Sequence, residues 1–363
     1  MHNIHKGEKT MTTQTDLKLH VEQARQSPMF ASYQSIRDRI MLMVQDMMQQ
    51  GAVPSDYWSQ EVAGFEYLFD ASPLILERFR EHCYHITGIH GYPYRAHHGA
   101  KNTSHTRRYY ELKAIDSRGL FVPESPIMNG FGYDVGAGLA NIDTLKFYEV
   151  LIGLDKAGLL NSLSAGDTVI EIGAGWGGFA YQMRTLFPGV RYVIMDLPHT
   201  MLFSAVYLRN AFPEARLAMH GEPDFEARLA SGDFDFAFVP HFAADQYSYP
   251  AARFGINIAS FQEMTAEQVS GYAALLSKNH CAAIYSLNRK HSPYNTQLAS
   301  VESELSNNYQ CSPVHVLDTG YTSIGKKIKG AEKIKEMAKK LKIKVGRDDL
   351  GYKHLVGRLS STA

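Results

Sequence analysis

The residues best suited to chemistry lie in Thr168-Val-Ile-Glu-Ile-Gly-Ala-Gly-Trp-Gly-Gly-Phe-Ala180. An apolar run ends in Gly173, Gly175, Gly177 and Gly178, and a helical pattern begins at once. Glycines at such a turn reach positive φ and let a ligand lie against bare backbone at a helix N-terminus. A second apolar run closes at Asp196, where a carboxylate about 20 residues beyond the loop can accept hydrogen bonds from both hydroxyls of a ribose. A tight turn with a helix-capping aspartate is the purely structural alternative. Gly173-x-Gly175-x-x-Gly178 satisfies the dinucleotide fingerprint, so an NAD(P)-dependent oxidoreductase is one functional reading. Glu171 speaks against it, because it sits on the strand just before the glycines, where dinucleotide folds place an apolar residue.

A scaffold of alternating strands and helices must position these groups. Short β-rich runs cover 168–172, 191–196, 216–220, 234–240 and 281–288. Helical patterns cover 178–187, 200–211 and 265–276, the last opened by a Thr265…Gln268 capping box. Such alternation builds βαβ units, so the expected fold class is α/β with a doubly wound, mostly parallel sheet. This domain is expected over 136–363, beginning with a helix capped by Asn141 or Asp143. Runs at 312–317 and 353–359 are expected to add an edge hairpin, with a lysine-rich insertion at about 325–347 between them. Residues 31–135 read as a mainly helical part. Its first helix carries Ile36, Ile40, Met43, Val44, Met47 and Met48 on one stripe, and a loop-rich, acceptor-facing segment ends it. Residues 1–30 read as a flexible tail.

Composition excludes several classes. Hydrophobic residues make up 45% of the 363, which suits a full core, and no long apolar run predicts a membrane span. Cys83, Cys281 and Cys311 are too few and too scattered for a disulfide framework or a zinc knuckle, and a reduced, cytoplasmic protein is expected. Lys+Arg and Asp+Glu balance at 37 each, but the basic residues concentrate after Gly325. The segment Lys326 to Arg347 reads as a solvated helix face rather than a nucleic-acid site, since no aromatic residues interleave it.

The Glu171-x-Gly-x-Gly pattern is similar to that of class I methyltransferases, whose loop faces the amino-acid part of S-adenosylmethionine. Residues 169–198, with Met195-Asp-Leu-Pro198, resemble the bacterial sugar O-methyltransferase family. So do Asn257-Ile-Ala-Ser-Phe-Gln-Glu-Met264, Ile284-Tyr-Ser-Leu-Asn288 and the upstream Tyr57-Trp58, Phe65-Glu66 and Thr87-Gly88. The resemblance spans roughly residues 55–320 and leaves out the tail after Gly325. It implies a Rossmann-like methyltransferase sheet, S-adenosyl-L-methionine as cofactor, and O-methyl transfer to a sugar hydroxyl. That sugar would be free, nucleotide-linked, or part of a glycan or glycosylated natural product. Gly173, Gly175 and Gly177 would cradle the methionine end, with Glu171 orienting it. Asp196 would hold the ribose, and Trp176 and Leu197 would pack alongside. A phenolic or other small-molecule hydroxyl is the alternative acceptor, and a non-catalytic binding protein the alternative of another class.

Methyl transfer to an alcohol is an in-line displacement that needs a general base. His241, directly after the run at 234–240, is one candidate, with Asp245 to orient it. Glu263 is the rival, although Ser260-Phe-Gln-Glu263 also fits a capping box. Asn288 and Arg289 are expected to contact the acceptor, and His291 is a weaker base candidate. His82, His85, His90, His97, His98 and His105 cluster, but no carboxylate or thiolate set of ligand spacing accompanies them, so no metal is expected. Instead this segment, with His98 and Tyr110 foremost, is expected to line the acceptor pocket. The expected partner is thus a small-molecule or carbohydrate acceptor, with no nucleic acid, and a homo-oligomer is left open.

Overall fold

The computed structural model describes residues 14–52, 54, 56–87, 102–161, 163–289, 300–324 and 351–360. It begins with two helices, α1 (Gln14–Arg25) and α2 (Pro28–Gln49). Pro28 occupies the first turn of α2, and the Ser27 hydroxyl accepts the Phe30 N–H there. Tyr33, Ile36, Ile40, Met43 and Met47 form its buried stripe, whereas Met48 faces outwards. The tail expected over 1–30 is therefore corrected for residues 14–30. α1 is mostly polar, so its own periodicity is weak, and packing on its neighbours, with Ala24 buried, stabilises it instead.

Short helices α3 (Asp56–Ala63), α4 (Pro73–Leu76), α5 (Phe79–His82) and α6 (Tyr84–Thr87) follow. Next come α7 (Thr103–Lys113), a ribbon of β1 (Tyr133–Asp134) and β2 (Leu139–Ala140), and α8 (Ile142–Lys156), whose cap Asn141 accepts the Thr144 N–H.

The alternating part runs β3 (Thr168–Ile172), α9 (Gly178–Leu186), β4 (Arg191–Asp196), α10 (Pro198–Ala211), β5 (Leu217–Met219), α11 (Phe225–Ser231) and β6 (Phe236–Pro240). It continues through β7 (Ala252–Ile258), α12 (Ala266–Lys278), β8 (Ala283–Arg289), α13 (Val301–Leu305), β9 (Tyr309–Pro313) and β10 (Tyr352–Leu359). Eight of these strands form one sheet in the order β5-β6-β4-β3-β7-β8-β10-β9. Only β10 runs opposite, antiparallel to both β8 and β9. Side chains alternate between two cores. Val169, Tyr192, Ile194, Phe236 and Phe238 face one, and Ile170, Val193, Met195, Ala237 and Val239 the other. The fold is thus the expected doubly wound, mostly parallel α/β sheet.

Two strands depart from expectation. β7, the central partner of β3, was not among the expected strands. Arg253, Gly255 and Asn257 interrupt its apolar pattern; Gly255 is small because Leu276 packs against it, and Asn257 is buried with its amide bonded. The outer edge strand lies at 309–313 rather than 312–317. The lysine-rich insertion lies outside the described residues.

Phe65 and Phe79 pack on Phe203 of α10 with ring centroids 5.1 and 5.3 Å apart, and α2 lies along the same helix. The N-terminal helices therefore share a core with the sheet, and the boundary near residue 135 marks a change of pattern, not of core. Among the described residues no helix is long and apolar enough to cross a membrane.

Candidate active site

The chain passes from β3 to β4 on one side and reaches β7 on the other, so the strand order reverses beside β3. Open α/β sheets bind ligands outside the carboxyl ends of the strands at such a point. A cavity of about 450 Å³ opens there, within the usual range for a small-molecule site. The N-terminal helices close one wall with Trp58, Ile86 and Thr87.

Gly173, Gly175 and Gly177 adopt φ of +71°, +57° and +79°. A side chain on Gly173 would collide with the Ser260 hydroxyl, and a Cβ on Gly175 would stand 2.7 Å from Ile86. The turn is thereby held between the segment after β7 and the N-terminal wall. Three of its amides are engaged: Gly173 N–H donates to the Met195 carbonyl (2.8 Å), Gly175 N–H to Asp196 Oδ2 (2.9 Å), and Gly177 N–H to the Ala174 carbonyl (3.0 Å). Asp196 also accepts the Leu197 N–H at 2.8 Å and keeps lone pairs for a ligand. Burial pushes its carboxyl up to about 6 against those hydrogen bonds.

Glu171 lies beneath the turn, buried, and accepts the Tyr192 hydroxyl at 2.8 Å. Burial pushes its carboxyl up to about 8, with Asp196 adding to the shift and Lys146 opposing it. Trp176 lines the cavity, and the Arg80 guanidinium lies over its ring, 3.7 Å from the centroid. Arg80 is buried and paired with Glu124 (2.7 Å) and Asp143 (3.4 Å).

The two base candidates fall at opposite ends of this site. β6 pairs with β4 so that Pro240 stands opposite Asp196, and His241 follows on the far side of β4 from β7. Burial pulls the His241 ring down to about 4, with the Ala52 backbone opposing, and its Nδ1 is buried without a partner. Asp245 lines the cavity but is exposed, and the buried Nδ1 of the ring finds no partner in it, which corrects the expected His241–Asp245 pair. Glu263 follows β7 in a 3-10 turn (Phe261–Glu263), on the side where Ser260 abuts Gly173. The capping box with Ser260 does not form: the Ser260 hydroxyl accepts from the Asn257 amide at 2.6 Å, and the Glu263 carboxyl lines the cavity. Burial pushes it up to about 8, with Glu61 raising it further and Arg289 and Lys146 opposing.

Other expected residues lie elsewhere. Asn288 is buried and donates to Asn257 Oδ1 and Ser286 Oγ, both at 2.8 Å, bracing the turn after β7 rather than meeting an acceptor. Arg289 stacks over Tyr352 at 4.9 Å, behind the cavity wall. Tyr110 is exposed on α7, away from the cavity lining, because its neighbour Tyr109 takes the inward position. His82 and His85 share the Tyr67 hydroxyl at 2.7 and 3.2 Å. His98 and His291 lie outside the described residues. Among the described residues no group of three His, Cys, Asp or Glu could hold a metal ion. Sequence reasoning missed Lys146 on α8 and the aromatic wall of Tyr272, Tyr321 and Tyr352. These converge from four elements, and no local spacing marks them.

No model of a known protein family matches the chain, and no curated protein matches it. Among solved structures it is similar to Haemonchus contortus phosphoethanolamine N-methyltransferase 2 bound to S-adenosyl-L-methionine. That match is 13% identical, covers 58% of this chain and 52% of that one, and has a TM-score of 0.32. Precorrin-6y C5,15-methyltransferase from Geobacter metallireducens GS-15 is 12% identical over 58% and 88% of the two chains, TM-score 0.34. The bifunctional kinase-methyltransferase WbdD is 10% identical over 58% and 38%, TM-score 0.36. This chain spans about half the length of the first of these. At such values the likeness assigns neither substrate nor residue role, and the fold stands on its own sheet order.

Proposed function

We propose that this protein is an S-adenosyl-L-methionine-dependent O-methyltransferase acting on a sugar hydroxyl. The observation that carries the cofactor is the joined unit of glycine turn, Asp196 and Glu171. A pyrophosphate draws on free amides at such a turn, whereas those of Gly173, Gly175 and Gly177 are engaged within the protein and the carboxyls of Glu171 and Asp196 line the cavity. A cationic, pyrophosphate-free nucleoside suits that lining. S-Adenosylmethionine supplies, when bound, an electrophilic methyl group on a sulfonium.

Asp196 accepts hydrogen bonds from the ribose hydroxyls. Glu171 and the glycine turn hold the amino-acid end, and the β6 side with His241 and Leu197 holds the base. That layout puts the acceptor beyond Gly173, against Glu263 and the aromatic wall. Glu263 is then the group that takes the acceptor's proton, and a carboxyl near 8 is basic enough for that at mildly alkaline pH. Trp58, Tyr272 and Tyr321 supply apolar faces with polar tips, which suit a sugar ring. Methyl-labelled cofactor offered with free sugars, nucleotide sugars and phenols tests this. Label transfer to a sugar, lost in Glu263→Gln, supports the reading, and transfer to phenols alone replaces the acceptor.

A further inference from the structure

Among the described lining residues, Lys146 carries the one ammonium group, beside the carboxyls of Asp143, Glu171, Asp196, Asp245 and Glu263. It projects from α8, and its side chain is largely buried, with 12% exposure. Nζ donates to Asp143 Oδ1 at 3.1 Å and lies 4.8 Å from the Phe147 ring and 5.7 Å from the Tyr321 ring. Asp143 is a shared anion, since Arg80 also binds it at 3.4 Å. With Glu124 on the other side of Arg80, this cluster holds two cations and two anions and is neutral without any ligand. Lys146 has three N–H donors and spends one on Asp143. Glu171 and Glu263 line the same cavity as Lys146, and its charge opposes the upward shift of both carboxyls.

We infer that Lys146 binds the carboxylate of the cofactor's amino-acid end, while Glu171 serves its ammonium; this assignment rests on the cofactor reading above. The amino-acid end is a zwitterion, and a cavity that offers one cation and one anion beside the same glycine turn matches both of its poles. The Asp143–Arg80 pair is the brace: it fixes the lysine stem and aims the remaining donors inwards. Desolvated by Phe147 and Tyr321, the ammonium favours a charged acceptor over water.

The test compares two ligands that differ only at that end. S-Adenosylhomocysteine carries the amino acid, and 5′-methylthioadenosine lacks it. Calorimetry on the full chain measures both, for wild type, Lys146→Met and Lys146→Arg, with thermal unfolding recorded for each. The expected result is that Lys146→Met weakens S-adenosylhomocysteine about 10- to 100-fold. Methylthioadenosine should then bind as to wild type, and Lys146→Arg should recover most of the loss. Equal weakening of both ligands would overturn the assignment and make Lys146 a structural support. So would no weakening of either, or a wild type that binds the two equally well. A wild type that binds neither ligand overturns the cofactor reading itself, and the assignment falls with it.

Discussion

Asp196 accepts the Gly175 N–H at 2.9 Å and so ties the end of β4 to the turn that follows β3. The bond pre-sets the turn before any ligand arrives and leaves the remaining lone pairs of the carboxylate facing the cavity. A displaced turn would therefore disturb both ends of the nucleoside site together.

Gly173→Ala tests that coupling. The residue has φ of +71°, and a Cβ there collides with Ser260. The expected cost is about 1–3 kcal/mol of stability. It appears as a lower Tm accompanied by weaker S-adenosylhomocysteine binding.

Glu171 makes the ligand-free protein sensitive to pH. Its folded pKa of about 8 lies above the ordinary value of 4.5, so between the two the folded state holds a proton that the unfolded state has lost. That contribution to stability is fully present below about pH 4 and is lost as pH rises through about 8. Tm should fall across this window, and Glu171→Gln should flatten the fall. A cationic ligand favours the carboxylate, so binding should release protons near pH 7. Calorimetry in buffers of different ionisation enthalpy measures that release, and affinity should rise between about pH 6 and 8.

Glu263→Gln and His241→Ala separate the two base candidates. Removal of the Glu263 carboxylate should lower kcat by about 10²- to 10⁴-fold while cofactor affinity stays within a few-fold. In wild type kcat should rise with pH through about 8, the value to which burial pushes this carboxyl. His241→Ala should do the opposite, weakening S-adenosylhomocysteine with little effect on kcat. A large kcat loss in His241→Ala would return the base role to the histidine.

Arg80→Met removes the cation that Glu124 and Asp143 share in the interior. Stranding buried carboxylates typically costs about 3–5 kcal/mol. Urea unfolding should show a loss of that order, and Lys146, no longer braced through Asp143, should bind S-adenosylhomocysteine less tightly.

The glycine turn, Glu171 and Asp196 were legible in the sequence because strand, turn and helix chemistry are all local there. The Thr265…Gln268 capping box was legible for the same reason, and both of its bonds form. β7 was not, since Gly255 and Asn257 answer to tertiary neighbours rather than to a strand's own pattern. The sheet order bears on the base: the strand before His241 lies beyond β4, whereas β7, which leads to Glu263, lies directly beside β3. Asn288 illustrates the same limit. A polar residue at a strand end reads as a ligand contact until its partners, here Asn257 and Ser286, are known. Lys146 sits in a helix whose pattern reveals burial but not the cavity it reaches.

The central claim is that the unit of turn, Asp196 and Glu171 holds S-adenosylmethionine, and calorimetric titration of the full chain with S-adenosylhomocysteine and, separately, with NADH tests it most directly. The expected result is binding of S-adenosylhomocysteine, abolished by Asp196→Ala, with no heat from NADH. Binding of NADH alone would contradict the account and make the protein an oxidoreductase.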